Sequence, residues 1–187
     1  MTLHIDHHPR RYRSSLIAVA TLCLLPGLAA AADYNYLEGG FIQRHDYGST
    51  NPGGRAAVSF DIVPHLAVLG EFDGNDDLNQ VDAGAIFHTP IAPALDLFGG
   101  GTVEHAHRRA GDTDTGFGAR AGVRWQTTRA LELAPEFRYV HLFHQDQASV
   151  RLNALVGIAP HFDFQAAAQG GDDNRFEAGL RYAFGHT

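Results

Sequence analysis

From residue 55 to residue 184 apolar and polar side chains alternate with period two, as in β-strands whose two faces meet different surroundings. Residues 55–62 set Ala56, Val58, Phe60 and Ile62 against Arg55, Ala57, Ser59 and Asp61. The same alternation predicts strands over 66–72, 80–88, 95–104, 115–126, 131–139, 148–158, 162–169 and 175–184. Residues 34–44 read as a first strand of ambiguous facing, which makes about ten, with eight as the alternative. Short turns at Val63–Pro64–His65, 89–93, 127–130 and Ala159–Pro160–His161 alternate with longer polar loops at 48–54, 73–79, 105–114, 141–146 and 170–174. An even number of such hairpins predicts an all-β, antiparallel up-and-down transmembrane β-barrel. Its termini and short turns are then expected in the periplasm and its loops outside the cell.

The aromatics decide which face meets lipid. On the apolar parity, Phe60, Phe87, Trp125, Phe162, Tyr182 and Phe184 lie at the turn ends of their strands, while Phe72, Phe117, Tyr139 and Phe176 lie at the loop ends. Two belts bracketing a middle of Ala, Val and Leu match the girdles of a membrane barrel. A soluble barrel with its apolar parity inside has no reason to sort aromatics to both rims.

The front of the chain supports export. Arg10, Arg11 and Arg13 precede an apolar run from Leu16 to Leu25, then Pro26, Gly27 and a small-residue tract ending at Ala32. This order predicts a secretory signal peptide over residues 1–32, cut after Ala32, and a barrel over 33–187. The apolar run is too short for a spanning helix, which needs about 20 residues. Cys23 leaves with the signal, so the mature chain has no cysteine and its stability has to come from architecture. The formal charge of −7 becomes about −9 once Arg10, Arg11, Arg13 and Asp6 leave, which argues against nucleic acid as a partner.

The polar parity is heavily charged. Arg55, Asp61, Glu71, Asp82, Asp96, Glu104, Arg120, Arg124, Glu132, Glu136, Arg138, Arg151, Glu177 and Arg181, together with Asp163 and Arg175, are expected to point into the lumen. In a narrow barrel such charges have to pair, because an unpaired buried charge is very costly. One reading is a salt-bridged network that fills the lumen, and the other is a narrow pore lined by Arg120, Arg124, Arg138, Arg151 and the facing carboxylates.

Other constellations are weaker. His45, His105, His107, His141 and His144 gather near the loop end, and His105-x-His107 puts two imidazoles on one face. Rim histidines are more often solvated than metal-bound, and no metal or cofactor is assigned. The acidic loops at 73–77, 111–114 and 171–174 fill no twelve-residue calcium loop. A rim hydrolase would need convergence of His141 with Ser149, whose parities oppose, or of Asp76 and Asp77 with Glu104 and His105. No catalytic residue is assigned, and the expected function is non-enzymatic.

Asp33 to Phe41 (D-Y-N-Y-L-E-G-G-F), Pro64 to Leu66 (P-H-L) and Phe176 to Phe184 (F-E-A-G-L-R-Y-A-F) give the chain a resemblance to a family. It looks like the small outer-membrane β-barrel proteins of Gram-negative bacteria and is similar to the xanthomonad family of sulfation-dependent quorum factors. The resemblance implies an outer-membrane monomer in contact with lipid and lipopolysaccharide. It also implies recognition of the C-terminal strand by the barrel-assembly machinery, although Gly185, His186 and Thr187 follow the terminal aromatic Phe184. The family's signalling label attaches to no motif in this chain.

Overall fold

The computed structural model describes residues 32–46 and 49–185. The expected signal peptide therefore lies outside the described residues, apart from Ala32. Ten strands follow one another: β1 (Tyr36–Asp46), β2 (Ser49–Val63), β3 (Leu66–Asn75), β4 (Leu78–Ala92), β5 (Leu95–Arg108), β6 (Thr113–Thr128), β7 (Leu131–Leu142), β8 (Gln145–Ala159), β9 (Phe162–Gly171) and β10 (Arg175–Ala183). Each pairs antiparallel with its chain neighbour, and β1 pairs with β10, so the sheet closes into an all-β barrel. Closure satisfies every strand edge, a requirement for any sheet surrounded by lipid. The count is ten rather than eight.

The pleat follows the sequence parity. Phe60, Phe72, Phe87, Phe117, Trp125, Phe162, Phe176, Tyr182 and Phe184 are exposed on the outer wall, and Tyr139 lies on the same parity, half-buried. Between the belts the outer wall carries Val58, Val103, Phe137, Val150, Leu152 and Leu180. The ambiguous first strand takes a definite facing, with Leu37 and Phe41 outward and Glu38, Ile42 and Arg44 inward.

The expected contrast between short turns and long loops is not found. At the end away from the termini the strands continue through the predicted loops, and β2 absorbs Pro52 to Gly54. Residues 109–112 alone separate β5 from β6, and residues 143–144 separate β7 from β8. Polar residues were misread as loop because strand pairing continues wherever both faces are polar, and composition does not register it. The turns at the terminus-bearing end share one construction. Register shifts fall at Asp61/Val63, Pro90/Ala92, Gln126/Thr128 and Gly157/Ala159. Three of these turns place a non-glycine residue at positive φ, namely His65, Ala94 and His161. Each bulge tightens the local twist as the chain reverses.

Candidate functional site in the barrel lumen

Register places like charges side by side. Glu71, Asp82 and Glu104 are successive cross-strand partners on β3, β4 and β5, and Arg120 and Arg138 are partners on β6 and β7. Neighbouring like charges repel, so each row needs the opposite wall. Arg138 reaches across the lumen, donating from Nη2 to Asp82 at 2.6 Å and to Glu104 at 3.1 Å and 3.2 Å, and from Nη1 to Glu71 at 3.2 Å. Glu104 also accepts from Thr102 at 2.6 Å and from Gln80 at 2.8 Å.

A second group surrounds β1 and β10. Arg55 donates to Glu38 at 2.7 Å and to Glu71 at 2.8 Å, which joins the two groups, while Arg181 Nε donates to Glu38 at 2.7 Å. Arg151 holds Glu177 with two bonds of 2.6 Å and 3.2 Å, and Arg175 bonds Asp73 at 2.5 Å. Lower down, Arg124 clasps Glu132 at 2.7 Å and 3.0 Å.

Four predicted lumen residues stand apart from these groups, one of them Asp163, which is half-buried and lines the mouth at the terminus-bearing end. Asp61 is exposed at the rim, where it binds His88 at 2.8 Å. Asp96 is buried and Glu136 half-buried, and neither makes an ion pair among the described residues. Conversely, Glu38, Arg44, Asp73 and Asp173 belong to the lumen charges but were absent from the expected set. Glu38 and Arg44 lay on the strand of ambiguous facing, and Asp73 and Asp173 lay in segments read as loop. The period-two extension of β3 past Glu71 was the available signal for Asp73.

Above and below the charges the lumen is apolar, which the sequence reading did not anticipate. At the far end Ala106, Val140 and Leu142 cluster with Leu78 and Phe143. Phe143 stands at φ 52° and His144 at φ 59°, and the guanidinium of Arg108 lies 3.8 Å from the centre of the Phe143 ring. The Phe143 N–H donates to the Asp114 carboxylate. At the other end Tyr34, 3% exposed, packs with Ala67, Leu69, Ile86 and Phe98. Its ring stacks on His88 at 3.8 Å and lies 4.6 Å from the Arg124 guanidinium, whose Nη1 donates to the Asp33 carbonyl at 2.6 Å. The segment before β1 thus folds into the barrel mouth. Its Asp33 lines an outer vestibule of about 340 Å³ with Arg129, His161 and Asp163 among others, and its Tyr34 lines an inner chamber of about 50 Å³, with Arg124, Glu132 and Arg181 common to both.

The other candidates do not converge. His105 and His107 share the outer face, bonded to the hydroxyls of Thr115 and Thr113 at 2.8 Å each. His141, on the outer parity, binds Asp146 at 2.7 Å, while Ser149 is buried inside the barrel. Glu104 is fully buried inside, and neighbouring His105 is outside. Among the described residues no three His, Cys, Asp or Glu side chains are placed to hold a metal ion. Asp114 and Asp172 accept backbone N–H groups, and Asp173 pairs with Arg44 at 3.0 Å.

No family model matches the sequence, and no curated protein matches it. Solved structures do. The KdgM porin superposes with a TM-score of 0.52 at 9% identity, over 80% of this chain and 99% of that one. The NanC porin gives 0.52 at 10% identity over 80% and 100%. An outer membrane channel from Pseudomonas putida F1 gives 0.51 at 10% identity over 86% and 99%. The chain shares the closed barrel fold of outer-membrane porins and channels.

Proposed function

We propose that the mature chain is an outer-membrane barrel whose lumen is filled by its own side chains, and that it serves envelope structure or surface recognition rather than catalysis. The observation that carries this reading is Arg138, which ties β7 to β3, β4 and β5 straight across the interior. An interior crossed at its middle, with aromatics at both ends, supports a filled lumen. The exposed apolar band between two aromatic belts fits lipid and lipopolysaccharide around it. In that orientation the terminus-bearing end faces the periplasm, and β10, ending beside Phe184, is the strand for the assembly machinery to read. Deleting residues 185–187 leaves insertion intact if Phe184 is the working end. The short-motif likeness to the xanthomonad quorum-factor family adds no residue role to this reading.

Two measurements test it. In outer-membrane fractions the unboiled protein runs as a compact, faster band, whereas recovery as a soluble periplasmic or secreted protein sinks the proposal. In planar bilayers the wild type gives no stable conductance.

A narrow pore is the second reading. It is favoured by the carboxylate row facing an arginine row, and by the fold shared with KdgM, a porin also solved in complex with disordered oligogalacturonate. Stable single-channel steps whose selectivity changes in Arg124→Ala would establish it in place of the filled lumen.

A further inference from the structure

The vestibule at the terminus-bearing mouth has a volume of about 340 Å³, the size of a small-molecule site. Three arginines and three carboxylates line it, so it has no surplus of either sign. Most of these charges are committed within the chain. Arg124 holds Glu132 at 2.7 Å and the Asp33 carbonyl at 2.6 Å, Arg181 holds Glu38 at 2.7 Å, and the Asp33 carboxylate accepts from the Asn35 N–H at 2.8 Å. Two charges of opposite sign are left. Asp163 is half-buried and makes no hydrogen bond or ion pair among the described residues, and neither does Arg129, which is exposed on the turn between β6 and β7.

The backbone places a second acceptor beside Asp163. Gly157 on β8 is the cross-strand partner of Asp163 on β9, and its N–H donates to the Ala130 carbonyl at 2.9 Å. A Cβ built on Gly157 would lie 3.6 Å from Asp163 Oδ1 and 3.9 Å from the Ala130 oxygen. The two oxygens therefore flank the open ground over one glycine, and the carbonyl keeps a lone pair beyond the one that Gly157 uses. Those contacts are ordinary and Gly157, despite the register shift beside it, has no positive φ, so the fold does not require glycine there. Glycine inside a strand weakens it and marks places where another group approaches closely. Here the approaching group has to donate, because both flanking atoms accept, and a positive donor also offsets the free carboxylate. Arg129 immediately precedes Ala130 and lines the same vestibule, as do the apolar Leu155 and Ala183.

We propose that the vestibule is a binding site for a small zwitterion of the α-amino-acid class, its ammonium held over Gly157 by Asp163 and the Ala130 carbonyl and its carboxylate held by Arg129. The site goes beyond the structural role proposed above and holds whether or not the lumen conducts. His161, which also lines the vestibule, is the group of the chain that competes for Asp163.

Saturation-transfer NMR titrations of the detergent-solubilised protein with alanine test the assignment. Saturable binding is expected. N-acetylalanine, which lacks the ammonium, and ethylamine, which lacks the carboxylate, should each bind at least about tenfold more weakly, the loss of one charge-assisted hydrogen bond. Gly157→Ala puts a methyl group into the ground the ammonium has to occupy, and should weaken alanine binding at least about tenfold while leaving the unfolding midpoint unchanged. Arg129→Met should bring alanine down to the affinity of ethylamine. No saturable binding of alanine, equal binding of alanine and either analogue, or full binding in Gly157→Ala overturns the site. Should Gly157→Ala fail to fold, the three ligands on the wild type still decide.

Discussion

The two ends of the lumen carry aromatics set in opposite ways. Phe143 sits on a two-residue hairpin in which both residues have positive φ, a conformation ordinarily given to Asn-Gly. Its ring is half-buried, under Arg108. Tyr34 carries no such backbone requirement. It arrives on an irregular segment, its ring lies between His88 and Arg124, and the flanking Asn35 carbonyl accepts from the Phe184 N–H at 2.9 Å. The far aromatic is thus built into a hairpin of the strand framework at the cost of local strain, whereas the near one sits on an irregular segment ahead of β1. The two settings should respond differently to mutation.

The largest effect is expected between the two, at Arg138. Arg138→Met leaves Glu71, Asp82 and Glu104 adjacent without their shared counter-charge, and losing one partner of a buried ion pair costs roughly 3–5 kcal/mol. Urea unfolding in lipid vesicles measures it, and a loss under about 1 kcal/mol would mean that water already screens the row.

Tyr34→Ala comes next and acts on access more than on the fold. Ala134 lines the inner chamber and the chain has no cysteine after Cys23, so Ala134→Cys reports entry by a small thiol reagent. Labelling from the terminus-bearing side should rise by an order of magnitude when Tyr34→Ala is added, with all ten strands retained. Unchanged labelling would show that Tyr34 closes nothing.

The smallest effect sharpens the contrast at the far end. Phe143→Ala removes the ring but keeps a side chain at φ 52°, whereas Phe143→Gly removes both the ring and the strain. The glycine variant should be the more stable of the two by about 1 kcal/mol. An alanine variant of equal or greater stability would place the strain elsewhere.

The outer wall was legible from sequence because lipid imposes one demand at every position, so the girdle from Phe60 to Phe184 could be assigned without knowing any contact. The lumen was legible in sign but not in arrangement. That Arg138 and Glu104 point inward follows from parity, but that they meet across the barrel depends on strand count and stagger, which local sequence does not encode. Tyr34 was out of reach for another reason. It was read as the opening residue of the first strand, and alternation says nothing about an irregular segment turning back into the mouth. Phe143 was assigned to a loop because the polar ends of β7 and β8 conceal a tight hairpin.

The seam between β1 and β10 joins Tyr36 to Ala183 and Glu38 to Arg181, whereas every other strand pair is a hairpin between chain neighbours. Nine pairs can therefore form by local zippering, but the tenth must close a loop containing nearly all the described residues. Loop closure grows slowly in cost with length, yet no seam contact forms until it is complete. In kinetic terms the barrel has one long-range event, and it comes last. Gly40 and Gly179 face each other at that junction, where an added Cβ on either would lie 2.7 Å or 2.8 Å from the other's Cα. Side chains there would obstruct docking of the two edges, so this glycine pair acts on the rate at which the cylinder shuts, apart from any contribution to the stability of the shut form.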